Sequence, residues 1–187
     1  CVYTQPPKKA NRGHRLNSSP VQKSAESLNL NVRSPKNLNI DEELNFFKNI
    51  NPDIVVVVAY GKLIPKNFLD IPKKGFINIH ASLLPKWRGA APIQRAIMNL
   101  EKETGISIMK IKEELDSGPI MKKVKIEISP LDTSKKIAQK LSKIGSENIV
   151  ETLNDIFENR VIFTEQENNL ATYAKKIKKS EGKINWE

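Results

Sequence analysis

Asn78 and His80 are the residues whose types and spacing first suggest chemistry. They lie two apart in GFINIHASLLPKWRGAAPIQR, residues 75–95. Residues two apart on a strand share a face. A strand here turns Phe76, Asn78 and His80 to one side and Ile77 and Ile79 to the other. A carboxamide and an imidazole in an apolar strand each need a hydrogen-bond partner or a wet edge. Two convergent donors at a strand's end suit a developing oxyanion; two satisfied core polar residues are the plainer alternative. The turn-rich SLLPKWRG that follows weighs toward a site.

Asp116 is the third candidate. It lies in EELDSGP, a tight turn built on Asp-Ser-Gly-Pro, where an aspartate commonly serves the turn alone. Facing His80, it would orient the imidazole. The trio Asn78, His80 and Asp116 suits transfer of an acyl group to an amine. Asn78 and His80 would hydrogen-bond the tetrahedral oxyanion, and Asp116 would steer the proton that the amine loses. No Ser or Cys stands beside a His in a nucleophile turn, and G-x-S-x-G is absent. Direct attack by the amine is therefore simpler than a covalent enzyme intermediate. Two widely separated histidines and one cysteine argue against zinc, so no metal is expected. No G-x-x-x-x-G-K-[ST] or G-x-G-x-x-G occurs either.

The elements that must position these residues read as alternating strands and helices. Residues 2–4 end a strand, and a basic loop fills 5–19. Ser19 caps a helix that begins at Pro20 and runs to about Asn29, with Val21, Ala25 and Leu28 on one face. A short strand lies near Val32. Asp41 caps a helix to about Lys48. IVVVVA at 54–59 reads as a parallel strand covered on both faces. One helical turn at 65–69 precedes the strand 76–80. A helix over 92–100 turns Ile93, Ala96, Ile97 and Leu100 inward. A strand at 107–111 pairs in a hairpin with 119–128. Asp132 or Thr133 caps a long helix to about Glu158, with Ile137, Leu141, Ile144, Ile149, Leu153 and Phe157 inward.

This order predicts an open, mostly parallel twisted α/β sheet with flanking helices. Ligands in such sheets bind outside the carboxyl ends of strands, where Asn78, His80, the 60–65 loop and the Asp116 loop all fall. The 187 residues suffice for one domain. A single cysteine fits a reducing compartment, and no apolar run is long enough to span a membrane. The net charge of +10 favours a polyanionic partner such as nucleic acid, unless it is a compositional bias toward lysine.

Residues 78–94, with LDSG at 115–118, resemble the formyltransferases that use 10-formyltetrahydrofolate. The resemblance implies that family's Rossmann-like domain and places Asn78, His80 and Asp116 at its catalytic positions. It implies that Ser82, Leu83, Leu84 and Pro85 form the signature loop that contacts folate. It further implies that Gly61, Lys62 and Leu63, with Glu113, Glu114, Leu115 and Asp116, wrap the pterin through backbone groups. WRGAAPIQ at 87–94, TGISIMK at 104–110 and TYAKKIKKSEGKINW at 172–186 are similar to the branch that formylates methionine on initiator tRNA for translation initiation. Three alternatives stay open. One is a family member acting on a small amine, a ribonucleotide or an amino sugar. Another is a hydrolase of formyltetrahydrofolate that uses water in place of the amine. The third is a basic RNA-binding module without catalysis.

The basic loop bears on the partner. Lys8, Lys9, Arg12, His14 and Arg15 could clamp the phosphates of an RNA acceptor stem, and the resemblance implies the same engagement of tRNA. A solvated basic loop is the alternative. Arg88 reads as a phosphate ligand or a structural contact. Both ends read as cut: the family's first strand and helix are absent, as is its C-terminal barrel domain. Residues 1–170 are expected to form the catalytic domain, and 171–187 a linker toward a further domain. The parent protein, rather than the fragment alone, is the expected enzyme. It is expected to be a monomer, in the cytoplasm if bacterial or the mitochondrial matrix if eukaryotic.

Overall fold

The computed structural model describes residues 1–10, 15–183 and 186. The chain divides into two units: 1–52 with 60–71, and 53–59 with 72–187.

In the first unit, β1 (Val2–Tyr3) pairs in parallel with β4 (Val32–Arg33). Between them, the segment expected as a plain loop forms a hairpin of β2 (Lys8–Ala10) and β3 (Arg15–Asn17), with Lys9 opposite Leu16. Proline and glycine in that segment hid the two short strands. Ser19 caps α1 (Pro20–Ser27) as expected, its hydroxyl accepting the Gln22 N–H at 2.9 Å. Only Ala25 of that helix is buried, and Val21 and Leu28 are exposed. The next helix, α2 (Asp41–Ile50), is not capped by Asp41. Asp41 lies inside the first turn, with Glu42 and Glu43, where acidic side chains favour the helix dipole.

Phe47 of α2 meets Phe68 of α3 (Lys66–Leu69), ring centroids 5.0 Å apart, and Tyr3 edge-on at 6.0 Å. Beneath them Glu43 is buried. It accepts hydrogen bonds from Arg33 and from the Tyr3 hydroxyl. The Arg33 guanidinium holds the Glu43 carboxyl below its usual range against the opposing effect of burial. Burial and the adjacent carboxylate push the Tyr3 hydroxyl up.

The second unit is built on a four-stranded sheet in the order β5 (Val55–Val57), β6 (Phe76–His80), β8 (Glu103–Lys110), β9 (Ile120–Glu127). β5 and β6 run parallel; β6–β8 and β8–β9 are antiparallel. With helices at its flanks, this is the open α/β class expected. β5 is an end strand of that sheet, however, and Val56 and Val58 are 40% and 58% exposed rather than covered on both faces. A third parallel pair joins β7 (Arg88–Gly89) to β10 (Tyr173–Ala174).

The alternation in β6 sorts its side chains as expected. Ile77 goes to a core with Ile106 and Ile108 of β8 and with Ile137, Leu141 and Ile156 of α5 (Ser134–Phe157). Thr133 caps α5 by accepting the Lys136 N–H. Phe157, expected inward, is 50% exposed, and its neighbour Ile156 is buried instead. Leu100 is likewise 87% exposed, because α4 (Pro92–Met98) ends before it. Asp132 instead receives Lys136, Lys140 and the Ser129 N–H, which hold its carboxyl well below the usual range. On the sheet's other face Leu84, Met109 and Ile120 form a second cluster. β8 is buried along nearly its whole length, Ser107 included.

Candidate active site

The site grows from the carboxyl end of β6. Asn78 stands opposite Met109 of β8 and beside Val57 of β5. Its carboxamide is half-buried and has no hydrogen-bond partner among the described residues. His80, two residues on and on the same face, is 6% exposed. Its Nε2 lies 2.9 Å from the Trp87 carbonyl. A carbonyl only accepts, so Nε2 carries the proton and donates. Its Nδ1 lies 3.6 Å from Asp116 Oδ2, beyond hydrogen-bond range. That edge of the ring is therefore aligned with the carboxylate without being saturated by it.

Asp116 is aimed by two backbone features. Its own φ is +47°, in the left-handed region that Asp and Asn tolerate best after Gly. Its Oδ2 accepts the Gly89 N–H at 2.8 Å. Gly89 has φ +113°, and a Cβ there would lie 3.1 Å from the Ala174 carbonyl. Only glycine presents this N–H to the carboxylate while β7 lies against β10.

The loop between β6 and β7 is held from below. The Ser107 hydroxyl donates to the Ser82 carbonyl at 2.8 Å and accepts the Leu84 N–H at 3.0 Å. The Ser82 hydroxyl donates to the Lys86 carbonyl at 2.6 Å. Ser82 and Leu84 are fully buried, so their side chains fix the loop's shape from inside the protein. Leu83, Leu84 and Pro85 also line an open cavity of about 500 Å³ with Lys86, Lys123, Lys125 and Leu170. None of Asn78, His80 and Asp116 borders that cavity. The cavity and the polar residues at the end of β6 are thus separate features.

The other expected contact residues fall as follows. Glu113, Glu114 and Leu115 are exposed on the approach to Asp116. Gly61, Lys62 and Leu63 belong to the first unit. There the Lys62 ammonium donates to the carbonyls of Pro35 and Lys36 at 2.6 and 2.9 Å, and Leu63 is 85% exposed. Lys8 is exposed on β2; Lys9 and Arg15 lie on the hairpin strands, and Arg12 and His14 lie outside the described residues.

Four polar residues beneath the site escaped the sequence reading: Ser107, Gln166, Asn168 and Thr172. Ser107 had a signal, a hydroxyl inside an apolar strand. Thr172 accepts the Trp87 N–H at 2.9 Å. Gln166 and Asn168 receive the Arg88 guanidinium at 2.8–3.1 Å, and Arg88 is 3% exposed. Of its two expected roles, Arg88 thus has the structural one. The segment expected as a linker contributes β10, and Arg95 of α4 clasps Glu181 with both terminal nitrogens.

Among the described residues no three His, Cys, Asp or Glu side chains are grouped to hold a metal ion. No described helix is long and apolar enough to cross a membrane.

A family model described as formyl transferase matches residues 1–153, which leaves Gln166 and Thr172 beyond the match. Over its whole length the chain is 57% identical to a methionyl-tRNA formyltransferase of Pelagibacter ubique and 44% identical to one of Phenylobacterium zucineum. It spans 60% of the length of each of these relatives. Among solved structures, a sugar N-formyltransferase from a Shewanella strain superposes on 81% of this chain and 58% of its own, with a TM-score of 0.68 at 22% identity. A phosphoribosylglycinamide formyltransferase from Bacillus halodurans superposes on 68% and 70%, with a TM-score of 0.62 at 25% identity. The likeness to the Shewanella enzyme shows a shared fold.

Proposed function

The chain belongs to the formyl transferase family, and from that premise we propose that its parent protein moves a formyl group from 10-formyltetrahydrofolate to the α-amine of methionine on initiator tRNA. The observation that carries the chemistry is the His80 ring lying 3.6 Å from the Asp116 carboxylate, with an Asn78 carboxamide on the same strand face that has no partner among the described residues. The acceptor follows from the named activity of the two bacterial relatives.

The residues present fit a formyl group. The folate supplies a carbonyl carbon already activated by its nitrogen. Asn78 has a free N–H₂ to donate to the formyl oxygen as negative charge gathers there. In the doubly protonated ring, Nε2–H stays with Trp87 and Nδ1–H is left for the same oxygen. Asp116 stands beside that N–H and takes the proton that the attacking amine releases. That proton ends on the folate nitrogen as the carbon–nitrogen bond to it breaks, so charge and atoms balance. The Gly89 N–H holds the carboxylate in place while this happens.

Leu83, Pro85, Glu113, Glu114 and Leu115 are the accessible neighbours that would meet the folate, with Ser82 and Leu84 shaping the loop between. For Gly61, Lys62 and Leu63 the reading rests on the family resemblance. Lys8, Lys9, Arg12, His14 and Arg15 are assigned to the tRNA phosphates, a sequence-independent contact that steers and orients. The reading assigns the reaction to a monomer, in the cytoplasm as the bacterial source of the relatives supports, or in the mitochondrial matrix if the source is eukaryotic.

The test uses the full-length protein, 10-formyltetrahydrofolate labelled in the formyl carbon, and charged initiator tRNA. Label is expected in formyl-methionine released from the tRNA. Label passing only to a small amine, or to water as formate, would overturn the reading.

A further inference from the structure

The buried Arg88 guanidinium has no carboxylate partner among the described residues. Gln166 is what it meets. The Gln166 Oε1 accepts from Arg88 Nε at 3.1 Å and from Nη2 at 2.8 Å. The Gln166 Nε2 donates to the Asp116 carbonyl at 2.9 Å and to the Gly118 carbonyl at 2.7 Å. A carboxamide has two acceptor positions and two donor protons, and all four are used. Its orientation follows from its neighbours. The flipped amide would set N–H₂ against a guanidinium and oxygen against two carbonyls.

The two carbonyls bracket the turn that aims Asp116. That turn holds Asp116 at φ +47°. Within the turn the Ser117 hydroxyl donates to the Glu114 carbonyl at 3.2 Å, and Gln166 adds a brace from outside it. Gln166 reaches it from 48 and 50 residues further along the chain. On its other side, Gln166 is fixed by Arg88, which is held again by Asn168 at 2.8 Å. Arg88 and Gly89 are adjacent, and the Gly89 N–H binds the Asp116 carboxylate. The carboxylate is thus gripped at its side chain by residue 89 and at its backbone by an amide that residue 88 orients.

We propose that Gln166 is a positioning residue for the transfer: it transmits the rigid placement of Arg88 to the Asp116 turn and so sets the separation between Asp116 and His80. This rests on the reading of Asp116 above. A neutral amide is required because the task has two polarities, accepting from a cation and donating to carbonyls. Glutamate satisfies the first and opposes the second.

The experiment compares Gln166→Glu, Gln166→Ala, Asp116→Asn and Gln166→Glu with Asp116→Asn in the full-length protein. Folded fraction by thermal melting, KM for both substrates and the pH profile of kcat are read for each. Gln166→Glu keeps its contact with Arg88 and is expected to stay folded. Its kcat is expected to fall roughly ten- to hundred-fold, as for a reacting group misplaced by about 1 Å. KM is expected to change little, and the pH profile to shift. Added to Asp116→Asn, it is expected to have little further effect, because both act at one carboxylate. Normal kcat in both Gln166 variants, with Asp116→Asn impaired, would overturn the positioning role alone. Normal turnover in Asp116→Asn would overturn the site reading and this role with it. Failure of both Gln166 variants to fold would assign Gln166 to the fold and not to the reaction.

Discussion

Replacing Asp116 with Asn tests the site most sharply, because it removes charge and little else. The Asn side-chain oxygen can still accept the Gly89 N–H, now 2.8 Å from Asp116 Oδ2, and Asn is among the residues that tolerate φ +47°. The fold is therefore expected to change in melting temperature by no more than a few degrees. The loss is the unit negative charge that faces the ring. At 3.6 Å and an effective dielectric constant of about 20, that charge interacts with a proton on Nδ1 by about 4–5 kcal/mol. This gross figure is a ceiling, since the Asn dipole replaces part of it. At 1.36 kcal/mol per decade it sets a limit of about a thousand-fold on kcat. A fall of roughly one to three decades in single-turnover formyl transfer to charged initiator tRNA is expected, with substrate binding little changed. Asp116→Ala serves as the contrast. It strands the Gly89 N–H at about 1–3 kcal/mol, so it is expected to lose stability as well as turnover. If Asp116→Asn turned over at the native rate while fully folded, the carboxylate would have no part in moving the proton. The case for the pair would then collapse.

Four further outcomes follow from the same geometry. Asn78→Ala is expected to lose roughly 100- to 1000-fold in kcat while the melting curve barely moves, since that carboxamide has no hydrogen-bond partner among the described residues; activity assays paired with calorimetry check it. Ile137→Ala, at a fully buried position against Ile77 and Ile106, is expected to destabilise by about 2–5 kcal/mol in denaturant titration. Glu43 and Asp132 are held below their usual range by Arg33 and by Lys136 and Lys140. Their contribution to stability is thus complete above about pH 5, past the unfolded carboxylate range, and is lost as pH falls through the lower folded values. Urea midpoints at pH 7, 5 and 3 should drop over the last interval, and Asp132→Asn should flatten the drop. Neutralising Lys8, Lys9, Arg12 and Arg15 together is expected to weaken tRNA binding and flatten its dependence on salt, read from affinities over a range of potassium chloride; an unaltered slope would remove the hairpin from the interface.

Much of this architecture is written locally. The two-residue spacing of Asn78 and His80 set them on one face because a strand has no other choice. Ser19 and Thr133 announced their helices by hydroxyl chemistry that acts within three residues. The failures occur where the deciding partner is distant. Val56 and Val58 look like core by composition, yet β5 ends the sheet and both side chains are exposed. Phe157 lost its inward place to Ile156 because the helix phase at its last turn is set by packing, not by size. The basic segment read as loop because three-residue strands carry too little pattern to outvote Pro and Gly. Gln166 was invisible for a stronger reason. TEQENNL carries no periodicity or turn signal that marks a site, and the worth of Gln166 depends on a buried arginine 78 residues earlier in the chain.

The parallel pairing of residues 88–89 with 173–174 has a consequence for the order in which the molecule is made. Chain leaves the ribosome from the amino end, and domains form as enough of it emerges. The sheet and α5 are complete once residue 157 is out. The strap that seats Trp87, orients Arg88 and braces the Asp116 turn arrives afterwards, from residues 166–174. A nascent chain therefore holds the complete sheet and α5 before the brace on the Asp116 turn can form. That brace comes from a short stretch whose own sequence gives no sign of the task.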